Sequence, residues 1–103
     1  MNRGFLQLLV LAALEQRTYG YRMIKRLQEI GYDLDENTLY PLLRRLEKYG
    51  WIRSEWEVQA DRPRKFYIIT EAGKPVRDRA LEIWRGQNAV LQKMMEVCDV
   101  RES

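Results

Sequence analysis

The sequence predicts a mainly helical domain that carries one small β-hairpin and ends in one long helix. Apolar residues recur at helical spacing in four segments, and two short segments rich in strand-forming residues flank a polar tip. The chain holds only six Gly and three Pro, so few residues interrupt the helical patterns. Its 103 residues leave room for one modest hydrophobic core.

The first helix is predicted from about Gly4 to Gln16. Residues 5–14 are apolar around most of a helical cylinder, so the helix must be covered on more than one side. An export signal is the alternative, but Gln7 interrupts the run and residues 15–17 continue it at helical spacing. We favour a buried helix and, with a single cysteine at Cys98, expect a cytoplasmic protein without a membrane span.

The second helix is predicted to start at Tyr21 and to end at Gly31. The residues expected to face outward are Arg22, Lys25, Arg26 and Glu29. The apolar residues at helical spacing are Tyr21, Ile24, Leu27 and Ile30.

The third helix has one apolar and one polar face. Residues 35–37 supply N-cap candidates, and Pro41 is tolerated only near a helix start, so this helix begins close to Asn37 and ends at Gly50. Its apolar stripe is Leu39, Leu42, Leu43 and Leu46. The opposite face carries Asn37, Tyr40, Pro41, Arg44 and Lys48, with Arg45 on its flank.

Residues 51–58 and 65–70 are predicted to pair as a β-hairpin around a basic tip. Thr70 is the expected N-cap of the last helix, Pro75 stands in its first turn, and the helix runs to about Cys98. A helix of this length spans roughly 40 Å at 1.5 Å per residue, which exceeds the diameter of so small a domain.

The last helix has two neighbouring apolar stripes, and one chain of this length cannot cover both. We therefore predict a homodimer, while a helix folded back over its own domain is the alternative. The predicted dimer interface comprises Phe5, Leu6, Leu9, Ile83, Trp84, Gln87, Val90, Leu91 and Met94.

This order of elements is that of a winged helix-turn-helix, residues 1–70, followed by a dimerisation helix, residues 71–103. In such domains the third helix enters the major groove of double-stranded DNA and the hairpin, or wing, lies along the backbone. An exposed basic helix face is by itself often only a solvated surface, but its combination with a basic wing tip favours DNA binding. The predicted contacts are Tyr21, Asn37, Thr38, Tyr40, Arg44, Arg45, Lys48, Arg62, Arg64 and Lys65.

Charge and composition favour a binding protein over an enzyme. The net charge of +3 lies entirely before residue 71, since residues 71–103 carry six basic and six acidic side chains. The absence of histidine excludes Ser-His and Cys-His pairs and imidazole metal sites, so we predict no catalytic residue, no metal and no cofactor.

Several stretches resemble the PadR family of transcriptional regulators. Residues 39–52 are similar to its recognition-helix signature, and residues 19–21, Trp56 and residues 62–73 match in order and spacing. The resemblance implies a dimeric winged-helix repressor of an inverted-repeat operator, of the short form with one C-terminal helix. Many relatives have His where Tyr19 stands. Many also have Gly near Ala60-Asp61, and this second departure puts the turn of the wing tip in doubt.

The same resemblance singles out Trp84. Drug-binding relatives have a tryptophan at this position of the last helix, which lines a pore at the dimer centre. Trp84 therefore either stacks on a small aromatic ligand or packs in the dimer core. The alternative function is a winged-helix protein-interaction module that binds no DNA.

Overall fold

The computed structural model describes residues 3–58 and 61–102. Its elements are α1 (Arg3–Ala13), β1 (Thr18–Tyr19), α2 (Gly20–Glu29), α3 (Glu36–Lys48), β2 (Ile52–Glu57), β3 (Arg64–Ile69) and α4 (Gly73–Glu102). The predicted fold class, mainly helical with a small hairpin and a long last helix, is confirmed. Residue 60, at which the turn of the wing tip was in doubt, lies outside the described residues.

The core lies between α1, α2, α3 and the inner face of the sheet. All four leucines of the predicted α3 stripe are at most 5% exposed. Burying a leucine or isoleucine side chain contributes about 1.5–3 kcal/mol, so this stripe fixes α3 against the rest of the domain. The core side chains are Leu6, Val10, Leu11, Leu14, Met23, Ile24, Leu27, Leu34, Leu39, Leu42, Leu43, Leu46, Ile52, Tyr67 and Ile69.

The predicted apolar stripe of α2 is half wrong. Tyr21 is 62% and Ile30 71% exposed, and Met23 is buried instead. The core face of α2 runs through Gly20, Met23, Ile24 and Leu27, so the middle of the predicted stripe is buried and its two ends are not. Tyr21 therefore points away from the core, toward the surface that carries the wing.

Glycines end α2 and α3 in the same way. Gly31 and Gly50 have φ values of +94° and +80°, a region that favours glycine. Each follows the C-cap residue, and the residue after each glycine donates its N–H to the carbonyl five positions back, Tyr32 to Leu27 and Trp51 to Leu46.

The first helix ends at Ala13, three residues before the predicted Gln16. The carbonyl of Leu14 accepts a 2.9 Å bond from the N–H of Ile69, which draws the chain out of the helix and toward the sheet. Residues 18–19 then form β1, an unpredicted third strand, which pairs antiparallel with β3 through Thr18–Tyr67 and Tyr19–Phe66. The sheet order is β1-β3-β2, so the wing is joined to the chain between α1 and α2.

The last helix, α4, has 30 residues and is about 45 Å long. Thr70 is its N-terminal cap, as predicted, because its hydroxyl oxygen accepts a 3.1 Å bond from the N–H of Gly73. The helix continues past Cys98 to Glu102, and its first part packs on α1. Within the described residues, no helix is long and apolar enough to cross a membrane.

Candidate nucleic-acid interface

The outward face of α3 presents polar and basic side chains to solvent. The α3 start is fixed by Asp35, whose carboxylate accepts a 3.0 Å bond from the N–H of Thr38. Asn37, Arg44, Arg45 and Lys48 are exposed, whereas Thr38 and Tyr40 are half-buried. Among the described residues, none of these basic side chains forms an ion pair. Their charges therefore remain available to an anionic partner.

Tyr40 leaves the outward face and lies against the start of α2. A Cβ atom at position 20 would be 2.8 Å from the Tyr40 hydroxyl oxygen, 2.9 Å from Cε1 and 3.0 Å from Cζ. Only glycine fits at this position without moving the Tyr40 ring. Gly20 thus sets how closely α3 approaches α2 and where the Tyr40 hydroxyl lies.

A cleft of about 810 Å³ opens between the N-terminus of α2, Tyr40 and the wing. Its lining includes five basic residues, Arg22, Lys25, Arg62, Arg64 and Lys65, and five aromatic ones, Tyr19, Tyr21, Tyr40, Trp56 and Tyr67. No acidic side chain is among the described residues that line it. The positive charge of such a cleft suits a sugar-phosphate backbone.

Aromatic rings orient the basic side chains of the wing. The Lys65 Nζ is 5.8 Å from the ring centres of both Trp56 and Tyr67. The Arg64 guanidinium lies 5.2 Å from the Tyr19 ring, and the Tyr19 hydroxyl donates a 2.9 Å bond to Glu57. Cation–π contacts of this kind contribute about 0.5–1 kcal/mol at exposed sites, enough to bias where each charge lies.

Two titratable groups of the cleft have shifted pKa values. Burial raises the pKa of Tyr67, and the nearby Tyr40 and Glu47 add to the rise while Arg44 opposes it. The adjacent Tyr21 side chain raises the pKa of Lys25. The Lys25 Nζ lies 5.0 Å from the Tyr21 ring centre. Both groups therefore keep their protons, so Lys25 is a cation and Tyr67 a hydrogen-bond donor at neutral pH.

The predicted contact residues fall into two adjoining groups. The cleft brings together Tyr21, Tyr40, Arg62, Arg64 and Lys65, which are far apart in sequence. Asn37, Thr38, Arg44, Arg45 and Lys48 stay outside its lining, on α3.

Among the basic and aromatic side chains of the cleft, sequence reasoning did not select five: Tyr19, Arg22, Lys25, Trp56 and Tyr67. Arg22 and Lys25 stand one and four residues after Tyr21 on a short helix. Helical spacing predicted that both face outward from α2, but it did not show that they face the wing. Tyr67 is only 6% exposed and follows Lys65 by two residues, so alternation along β3 places both on one face of the wing.

The predicted dimer residues lie mainly on a second surface, formed by α1 and α4. The Phe5 and Trp84 rings stack at 5.8 Å with an interplanar angle of 27°. A groove of about 190 Å³ is lined there by Gly4, Phe5, Leu8, Ala80, Ile83, Trp84 and Gln87. Leu6, by contrast, lies in the protomer's own core at 4% exposure, and Leu9 packs against that core.

Beyond this groove α4 exposes a continuous apolar face. At 100° per residue, the exposed side chains fall within about 160° of the helix circumference. They are Ile83, Trp84, Val90, Leu91, Met94, Met95 and Val97, each at least 40% exposed. A face of this extent is unusual for a surface that meets only water.

Comparisons with known proteins give a consistent result. A sequence model of the transcriptional regulator PadR-like family matches residues 8–79. Transcriptional regulator Rv3488 of Mycobacterium tuberculosis is 37% identical over 62 residues, which are 60% of this chain and 58% of that protein.

Solved structures extend the similarity to most of the chain. A PadR family transcriptional regulator from Eggerthella lenta has 39% identity and a TM-score of 0.82, over 91% of this chain and 84% of that one. A PadR family transcription regulator from Clostridium difficile has 29% identity and the same TM-score, over 88% of this chain and 98% of that one.

Proposed function

Because this chain belongs to the PadR-like family of transcriptional regulators, whose members bind DNA and are not enzymes, we propose that it is a homodimeric repressor of an inverted-repeat operator. The observation that carries the proposal is the basic, aromatic cleft beside the unpaired basic face of α3. Such a repressor works in the cytoplasm, where its operator DNA lies.

In the proposed complex α3 lies in the major groove. Arg44 reaches guanine edges or phosphates, and Asn37, at the start of the helix, pairs with adenine. Thr38 and Tyr40 are at the groove wall, where thymine methyls and phosphate oxygens are in reach. The support is the exposure of this face and its placement opposite the leucine stripe that anchors α3.

The cleft is proposed to hold the DNA backbone next to that groove. Its five basic side chains surround the start of α2, and the Tyr21, Tyr40 and Tyr67 hydroxyls are hydrogen-bond donors for phosphate oxygens. Each phosphate neutralised lowers the slope of log K against log salt by about 0.9. Binding is therefore expected to weaken steeply as salt increases.

Dimerisation is proposed to bury the apolar face of α4 against a second copy. Each copy brings its α1 and the exposed side chains from Ile83 to Val97. A twofold axis between the α4 helices then presents two α3 helices to half-sites about one DNA turn, roughly 34 Å, apart.

Release by a small aromatic ligand is proposed to act at Trp84. Trp84 is 40% exposed at the groove between α1 and α4, so a flat molecule has access to one face of its ring. Only a ligand that binds the non-operator geometry more tightly shifts the equilibrium toward release. A dimer that keeps its operator affinity when Trp84 is saturated would exclude this switch.

The test is fluorescence anisotropy with the DNA upstream of the protein's own gene, across a salt series, against scrambled DNA. The variant Arg44→Ala/Arg64→Ala/Lys65→Ala is expected to lose binding and to have a shallower salt slope, with its dimer intact. Arg85→Ala removes a charge from the exposed surface of α4, far from the cleft, and serves as the matched control.

A protein-interaction module is the competing function. It predicts that the triple variant binds DNA no worse than the wild type, with no preference for the upstream DNA in either protein.

A further inference from the structure

The C-terminus of α3 and the N-terminus of α4 meet at four residues, which we call the Thr70 joint: Gly50, Trp51, Thr70 and Gly73. The Thr70 hydroxyl donates a 2.6 Å bond to the Gly50 carbonyl. The Thr70 N–H donates a 3.0 Å bond to the next carbonyl, that of Trp51. Thr70 therefore holds two successive carbonyls directly after the end of α3.

The same threonine starts α4. Its hydroxyl oxygen accepts from the Gly73 N–H at 3.1 Å, and its carbonyl accepts from Gly73 and Lys74 at 3.0 and 3.2 Å. One hydroxyl group thus acts as donor toward the end of α3 and as acceptor toward the start of α4.

Close backbone contact reinforces the hydrogen bonds. A Cβ atom at Gly73 would overlap the Trp51 carbonyl oxygen, so the first turn of α4 rests directly on the chain that leaves α3. Further along, Arg77 of α4 pairs with Glu15 after α1, and the Arg77 side chain is 19% exposed. The start of α4 is thus held against the end of α3 by the Thr70 joint and against the end of α1 by the Arg77–Glu15 pair.

From this geometry we propose that the Thr70 hydroxyl is a positioning group that sets the half-site spacing of the operator. The inference rests on the proposed function, because it needs dimerisation through α4 and DNA reading through α3. If the α4 helices form the dimer axis, the angle between α3 and α4 in each protomer decides the separation of the two α3 helices. One base pair of added spacer moves a half-site by about 3.4 Å and rotates it by roughly 35°, so a rigid joint tolerates only one spacing.

The variants separate the two roles of the hydroxyl. Thr70→Ser keeps both the donor and the acceptor. Thr70→Asp keeps an acceptor that caps α4 but lacks the donor toward Gly50, whereas Thr70→Val keeps the shape and loses both. The probe is a palindromic duplex that the wild type selects from a random-sequence library, with derivatives whose spacer is one to four base pairs longer or shorter.

We expect the wild type and Thr70→Ser to prefer one spacing. In Thr70→Asp and Thr70→Val the affinity penalty for neighbouring spacings falls by about fivefold per protomer, the usual net effect of one hydrogen bond. Binding to a single half-site stays within about twofold in all four proteins. Thermal unfolding and sedimentation establish that each variant is folded and dimeric. If Thr70→Val does not fold, the comparison of Thr70→Asp with Thr70→Ser is the test.

Three results would overturn the inference. If only Thr70→Val tolerates other spacings, the cap of α4 is responsible and the bond to Gly50 is not. If affinity falls equally at every spacing, the joint affects binding but does not select the spacing. If the unmodified protein is monomeric or shows no spacing preference, the proposed binding of a dimer to two half-sites fails, and the inference fails with it.

Discussion

Replacing Gly20 with alanine tests whether the contact between α2 and Tyr40 serves DNA binding. The new Cβ would lie 2.8–3.0 Å from three atoms of the Tyr40 side chain, so the ring must move. The cost to folding is reduced, because alanine favours a helix over glycine by up to about 1 kcal/mol. The Tyr40 hydroxyl, however, leaves the position from which it is proposed to donate to phosphate.

A hydrogen bond to a charged group contributes about 1.5–3 kcal/mol, so the variant is expected to bind each half-site between about 10- and 150-fold more weakly. The assay is anisotropy of a labelled operator duplex at fixed salt, with urea unfolding as the measure of stability. Gly86→Ala is the matched control, because a Cβ at this helical position has no atom within 4 Å in the protomer. The control is expected to gain stability and to bind DNA normally.

Tyr40→Phe completes a double-mutant cycle. If Gly20→Ala acts by displacing the hydroxyl, it has little further effect on binding when that hydroxyl is already absent. Wild-type affinity in a folded Gly20→Ala protein would refute the reasoning, as would full additivity of the two substitutions.

Three further substitutions address other parts of the structure. Burial raises the pKa of Tyr67 above 10.0, so the free energy of unfolding falls as the pH rises past 10, because the tyrosine ionises first in the unfolded chain. Tyr67→Phe is expected to remove this part of the fall. Urea midpoints between about pH 8 and 11 that decline equally in both proteins would contradict the prediction. Leu91→Asp places a carboxylate on the exposed apolar face of α4, and sedimentation is expected to show a monomer with its unfolding transition retained; a stable dimer would place the interface elsewhere. Leu43→Ala leaves a cavity at a fully buried position and lowers the free energy of unfolding by about 2–5 kcal/mol. A loss below about 1 kcal/mol, closer to what substitutions at exposed sites cause, would mean that α3 is less tightly packed than described.

Local sequence signals predicted α3 and α4 well. The α3 stripe repeats at helical spacing between a capping aspartate and Gly50, so neighbouring residues alone define that helix and its buried face. The length of α4 and its two apolar stripes were equally predictable, since both depend on periodicity within one segment.

Features that depend on tertiary contacts were missed. The strand β1 has two residues, too few for a periodic pattern, and exists because β3 pairs with it. The early end of α1 has the same origin, the bond from Ile69 to Leu14. On α2, Met23 and Tyr21 are both apolar enough to face inward, and tertiary packing buries Met23 while Tyr21 stays exposed.

The candidate site was predictable only in part, because one half of it depends on a single helix and the other half on tertiary contacts. The basic face of α3 follows from that helix alone, whereas the cleft is assembled from three separate segments. Trp56 and Tyr67 join Lys65 there because strand register places them on one face of the wing.

The three tryptophans occupy three different working parts of the molecule, which gives the protein built-in fluorescent reporters. Trp51 stands where α3 meets α4, with its ring 4.8 Å from that of Tyr49. Trp56 is 62% exposed on the wing, and Trp84 stacks on Phe5 at the surface of α4. Variants that keep one tryptophan each would therefore report the proposed DNA contact, interhelical rearrangement and the proposed association separately, by emission wavelength and quenching and without a label. The order in which the three signals change on adding DNA would time the steps of the proposed operator binding.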